Sequence, residues 1–126
     1  MREPIGAAAS HAANLARAQG AIVSLDLATW TLFDETFRAK VRAIAPDLVF
    51  ANERERSEFG DLDTRWIVKR GAEGVIVDGV AYPALPTSAI DPTGAGDAFA
   101  GGFLAGGVTL GLEAAARCCA KLGAMP

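Results

Sequence analysis

The sequence predicts an α/β protein: a mostly parallel sheet with flanking helices and one β-hairpin. Three observations predict it. Apolar stretches of helical and of strand character alternate along the first half of the chain. Two of the strands lead to polar side chains, Asp26 and Asn52, at the carboxyl ends outside which open α/β sheets bind ligands. An Asp78-Gly79 pair then separates two short apolar runs, the signature of a two-residue hairpin turn.

Residues 5 to 19 read as the first helix, with Ile5, Ala8, Ala9, Ala12 and Ala16 on one face and Gly20 as its stop. "AIVSL", 21 to 25, reads as a short buried strand ending at Asp26. The next helix is marked by Phe37, Val41 and Ile44 at spacings of four and three, with Asp34 as N-cap and Pro46 as terminator. "DLVFA", 47 to 51, is the second strand, delivering Asn52. This order implies parallel strands joined by right-handed crossovers. The polar stretch from 53 to 63 reads as a turn or short surface helix. "RWIVKRG" is the third strand, ending at Gly71, and "VIVDGVAY" the hairpin. "TSAI" is a brief extended piece, and two helices close the chain at about 97 to 105 and 111 to 122. Neither a repeat nor a linker divides residues 1–126, which read as one domain.

Composition narrows the function classes. Of 126 residues, 51% are hydrophobic, enough for a modest core. Twelve basic against 15 acidic residues leave a net charge of −3, with the basic ones scattered, so no nucleic-acid partner is expected. We read no apolar run near the roughly 20 residues of a membrane span and no signal-peptide core, so a cytoplasmic location without a membrane partner is expected. Cys118 and Cys119 are adjacent and lack metal-ligand spacing, so both are expected to stay reduced. His11 is the only histidine, which leaves no components for a His-Cys metal site or a Ser-His-Asp triad.

The stretch that carries chemistry is "DPTGAGDAFAGGF", starting at Asp91. Gly94 and Gly96 flank Ala95, so the backbone can turn tightly there. A helix opening at that turn adds unsatisfied N–H donors and a positive dipole end. Together they form a cradle for a phosphoryl group. It is not a Walker A loop, since none of Lys40, Lys69 and Lys121 follows a glycine, nor a dinucleotide fingerprint, since Phe99 stands where its last glycine belongs. Asp97 beside such a cradle has two readings. It either caps the helix and offsets its dipole, or accepts the proton of a hydroxyl that attacks the bound phosphoryl.

"DPTGAGDAFAGGF" resembles the C-terminal signature of the ribokinase/PfkB family of carbohydrate kinases. "FANERE" resembles that family's N-x-x-E motif, here Asn52 and Glu55, and "VKRGAEGV" its nucleotide-side strand and turn, here Lys69, Gly71 and Gly74. The resemblance implies a ribokinase-like, Rossmann-like fold, of which these residues form the C-terminal part. It implies Asp97 as general base and Gly94, Ala95 and Gly96 as the anion hole. It also implies ATP as donor, bordered by Lys69, Gly71 and Gly74, and Mg²⁺ organised through water by Asn52 and Glu55. Asp91 and the Thr93 carbonyl match positions that hold a monovalent cation such as K⁺. Read without the family, residues 53 to 56 favour a solvated charged turn over a metal site. The implied reaction is phosphorylation of a sugar CH₂OH; a nucleoside kinase of adenosine-kinase type, or a truncated nucleotide-binding module without turnover, are the alternatives. The N-terminal substrate and lid part of the family has no counterpart here, so association through an uncovered side, or homo-oligomerisation, is expected.

Overall fold

The computed structural model describes residues 5–123. Its contacts group into two compact units, Met1–Val68 and Lys69–Pro126.

In the first unit, α1 (Ile5–Ala18) stops where Gly20 turns to φ +75 and donates its N–H to the Arg17 carbonyl at 2.9 Å. α2 (Glu35–Ile44) begins as its sequence requires: Asp34 Oδ1 accepts the Phe37 N–H at 2.7 Å, and Phe37, Val41 and Ile44 are the buried face. Its end is held by Ala45 in the left-handed region (φ 48) and by Arg17, which donates to the carbonyls of Ile44 at 2.9 Å and Ala45 at 2.7 Å. Strands β1 (Ser24–Asp26) and β2 (Leu48–Asn52) pair in parallel with Leu25 opposite Val49, and β3 (Arg65–Lys69) follows on the other side of β2. The core is a cluster of Leu27, Phe33, Phe37, Val41, Val49, Ala51 and Phe59. Phe33 stacks on Phe37 at 5.2 Å and meets Phe59 edge-on at 5.6 Å, the offset geometries aromatic quadrupoles favour.

Two expectations change here. The first strand starts at Ser24, and Ile22 is 73% exposed instead of buried. The chain at 23 is held by the Asp47 carboxylate, which accepts the Val23 N–H at 2.8 Å, and β1 is the outermost strand, with no neighbour to cover Ile22. The polar stretch after Asn52 is a helix, α3 (Glu53–Phe59), and not merely a surface element, because Phe59 and Glu55 are buried.

The second unit holds the hairpin of β4 (Val75–Val77) and β5 (Val80–Tyr82), with Val77 opposite Val80. Asp78 (φ 53) and Gly79 (φ 78) both take the left-handed region that matches the strand twist. The two expected C-terminal helices are present as the two arms of α4 (Ala95–Cys119), separated by non-helical backbone at Gly106 and Gly107 (φ 82, ψ −166). The first arm starts two residues earlier than expected, and the second ends earlier, at Cys119. The arms cross closely: a Cβ on Gly102 would lie 2.7 Å from the Leu110 carbonyl oxygen, and one on Gly111 would lie 2.8 Å from the Phe99 ring. Taken whole, α4 has 25 residues and a mean hydropathy of 1.3 over an 18-residue window, so by length and composition it could cross a bilayer. That corrects the sequence reading; the break, however, leaves neither arm the roughly 20 residues a span needs. "TSAI" adopts no regular structure and is tied to the second arm, with the Ile90 N–H bonded to the Cys119 carbonyl at 2.8 Å.

Candidate active site

The Asp91–Gly94 loop is pinned to the end of α4. Asp91 Oδ1 accepts the Thr93 N–H at 2.9 Å and Oδ2 the Gly123 N–H at 3.0 Å, while the Cys118 thiol donates to the Thr93 carbonyl at 3.3 Å. From that anchor Gly94 turns the chain into the helix with φ 79, ψ 0, a conformation glycine adopts without cost. No side chain caps α4. The Ala95 N–H is taken by the Pro92 carbonyl at 3.1 Å, so of the three expected anion-hole donors this one is engaged. Among the described residues, the N–H groups of Gly94, Gly96 and Asp97 meet no acceptor in the chain. Two of the three expected donors, Gly94 and Gly96, are therefore open, and the amide of Asp97 joins them in place of Ala95. The Asp97 carboxylate is exposed and accepts no capping bond, so the helix-cap alternative lacks its hydrogen bond.

Beside this turn lies a cavity of about 470 Å³ within the second unit, within the roughly 300–1,000 Å³ range of small-molecule sites. Lys69, Gly71, Gly74, Ala95 and Gly96 all line it, which brings together five of the sequence-selected residues; Asp91, Thr93, Gly94 and Asp97 are not among its walls. The rest of its surface includes the chain after the hairpin from Ala84 to Thr87, Phe99 and the second arm of α4 through Leu112, Ala115, Ala116 and Cys119. The sequence reading missed that arm as a wall; its only signal was the run of small residues from Ala114 to Ala116. Gly74 (φ 97, ψ −136) brings the turn after β3 against the chain leaving β5, where a Cβ would lie 2.6 Å from the Ala84 nitrogen. At Gly96 the fold demands no glycine: a Cβ would meet only Lys69, at ordinary contact distances of 3.5 and 3.8 Å. The missing side chain at Gly96 therefore leaves the space between the turn and Lys69 clear.

Asn52 and Glu55 lie in the first unit. They form a reciprocal capping box: Asn52 Oδ1 accepts the Glu55 N–H and Glu55 Oε2 accepts the Asn52 N–H, both at 2.8 Å. The charged-turn reading is thus replaced, since Glu55 is 4% exposed, whereas Arg54 and Arg56 lie over the rings of Trp30 and Trp66. The box leaves the second carboxylate oxygen of Glu55 as an acceptor. Among the described residues no group of three or more acidic, histidine or cysteine side chains gathers around a point. That donor set fits Mg²⁺ in its usual mode, held by one carboxylate through retained waters and by substrate phosphates, and not a closed protein cage.

Asp91 and the Thr93 carbonyl are oxygen donors of the kind an alkali cation takes, and both already accept hydrogen bonds. Bonds from the Thr93 hydroxyl, the Thr93 N–H and the Gly123 N–H, in that order, hold the Asp91 carboxyl below its ordinary 3.8, against a smaller push from burial. A folded value below the unfolded one means that the stabilisation is complete above about pH 4 and is lost as pH falls through the folded value. We therefore expect the urea midpoint to drop more between about pH 6 and about pH 3 in the parent chain than in Asp91→Asn. Equal drops would show that this anchor does not couple to acid.

Residues 2–125 match the family described as pfkB family carbohydrate kinase. The chain belongs to that family. Within it, a cytidine kinase of Thermococcus kodakarensis is 40% identical over an alignment covering 61% of this chain and 38% of its own length. An ATP-dependent ribose-1-phosphate kinase of Halopiger xanaduensis is 37% identical, covering 59% of this chain and 31% of its own. Among solved structures, the adenosine kinase from Sinorhizobium meliloti superposes with a TM-score of 0.79 at 26% identity, covering 94% of this chain and 46% of that one. The fold is ribokinase-like, as expected from the pfkB resemblance. This chain spans less than half the length of each of these three pfkB proteins.

Proposed function

We propose that the protein is an ATP-dependent phosphotransferase acting on an alcohol group of a sugar or of the ribose of a nucleoside. The observation that carries it is the pairing of an uncapped glycine turn, with open N–H groups at 94, 96 and 97, with an unengaged carboxylate on Asp97. A loop that only bound phosphate would bind it more weakly for that negative charge. A site that must also deprotonate a hydroxyl requires it.

In this reading the nucleotide occupies the apolar cavity, with Gly71 and Gly74 allowing close backbone approach and Lys69 bordering the phosphates. The open amides of Gly94, Gly96 and Asp97 meet charge on the transferred phosphoryl, and Asp97 takes the proton of the acceptor hydroxyl. Glu55, with Asn52, would hold Mg²⁺ through water, and that ion supplies neutralisation of phosphate charge. Asp91 and the Thr93 carbonyl are the donors for a K⁺ ion. The names of the relatives favour a ribose-containing acceptor. Dependence on ATP suits a cytoplasmic location, and the open edge of β1 with its exposed Ile22 supports association on that side.

The test is calorimetric titration with Mg·ATP together with a phosphoryl-transfer screen over cytidine, adenosine, ribose and ribose 1-phosphate, on the protein as its gene encodes it. We expect nucleotide binding and product from at least one acceptor. Binding without product from any acceptor would favour the nucleotide-binding module, and no binding at all would reject the reading.

A further inference from the structure

We infer that Lys69 is the cationic contact for the phosphoryl group in flight, a role that rests on the kinase reading above but assigns the charge to one side chain. Lys69 is the last residue of β3, and its side chain passes over the glycine turn. Its Nζ lies 3.5 Å and its Cδ 3.8 Å from where a Cβ on Gly96 would stand. It is the only charged side chain among the residues that line the cavity. The remaining walls are alanine, glycine, proline, valine, leucine, phenylalanine, one threonine and one cysteine. An ammonium in such surroundings interacts with an anion far more strongly than it would in water.

The same patch contains the open N–H groups of Gly96 and Asp97. Backbone dipoles at a helix start contribute only about 0.3–1 kcal/mol toward an exposed anion, so they need a full charge beside them. Lys69 supplies it beside Gly96, a residue of the turn that also lines the cavity. During transfer the bond from the terminal phosphorus to the bridging oxygen of ADP breaks, and a bond to the acceptor oxygen forms. The acceptor's proton passes to Asp97, while Lys69 stays protonated throughout and loses nothing. Its task is to offset charge on the equatorial oxygens, which a terminal phosphate presents and a diphosphate held in the same pocket does not.

The experiment compares the parent protein with Lys69→Gln, Lys69→Met and Lys69→Arg for kcat, for acceptor KM, and for the ratio of ADP to ATP dissociation constants. A melting curve of each variant accompanies these measurements. We expect kcat to fall about 10²–10³-fold in Gln and Met, as when an oxyanion-hole donor is removed, with acceptor KM nearly unchanged and partial recovery in Arg. We also expect the preference for ATP over ADP to shrink in Gln and Met while melting stays close to that of the parent. A variant that keeps kcat within about threefold, or an unchanged ATP-to-ADP preference, overturns the role of Lys69 while the parent's turnover leaves the kinase reading standing. If the parent itself binds no ATP, both are overturned.

Discussion

We expect Asp97→Asn to lower kcat of the intact enzyme by about 10²–10⁴-fold, the usual worth of a positioned general base, while Mg·ATP binding stays within error of the parent and stability changes by no more than about 1 kcal/mol. The substitution keeps the shape and the amide at position 97 and removes only the proton acceptor. The structure makes this a clean test. Asp97 is exposed, accepts no capping bond and shares no ion pair among the described residues, so no packing or capping-bond energy goes with its charge, only the helix-dipole contribution of about 0.3–1 kcal/mol for an acid in the first turn. Single-turnover kinetics separate the outcomes: slow chemistry with normal nucleotide affinity supports the base, whereas equal chemistry removes it. Weaker ATP binding in the variant is not expected, since loss of a negative charge beside a phosphate cradle acts in the opposite direction.

Gly74→Ala produces the largest structural effect expected in the chain. At φ 97, ψ −136 an alanine sits in a region essentially reserved for glycine, a strain on the order of 1–3 kcal/mol. Its Cβ would also run into the Tyr82 carbonyl oxygen and lie 2.7 Å from the Pro83 carbonyl carbon, all backbone atoms that cannot rotate away. Overpacking of that kind typically adds about 1–3 kcal/mol. We expect a fall in melting temperature of roughly 10 °C or more, with loss of nucleotide binding because Gly74 lines the cavity. Gly71→Ala is the control. It shares a positive φ, 56, but a Cβ there meets nothing within 4 Å, so only the milder left-handed cost of about 1–2 kcal/mol applies. Similar melting of the two variants would show that the close approach at Gly74 is not rigid.

Local chemistry was legible in the residues wherever it acts over a few positions. Asp34 as a helix cap, Phe37, Val41 and Ile44 as one buried face, and Asp78-Gly79 as a hairpin turn all appear where the pattern puts them. The turn at Gly94 and the exposed acid at 97 were legible for the same reason. The capping box was not: Asn52 and Glu55 show the spacing of one, but the family motif and the neighbouring charges drew the reading toward metal and solvent. The break at Gly106 and Gly107, by contrast, was legible, since the helices that the pattern puts at about 97 to 105 and 111 to 122 lie on either side of it.

By itself, then, the chain's order of residues determined the element types, the hairpin and the glycine turn that opens α4, since capping, turn geometry and periodicity are short-range effects. Only tertiary structure decided which amides stay open, with Ala95 claimed by Pro92 and those of Gly96 and Asp97 left unclaimed. It also decided that the second arm of α4 walls the cavity and that Lys69 lies over Gly96. Those relations join residues dozens of positions apart, and they follow from which surfaces pack together, a long-range outcome that no local pattern encodes.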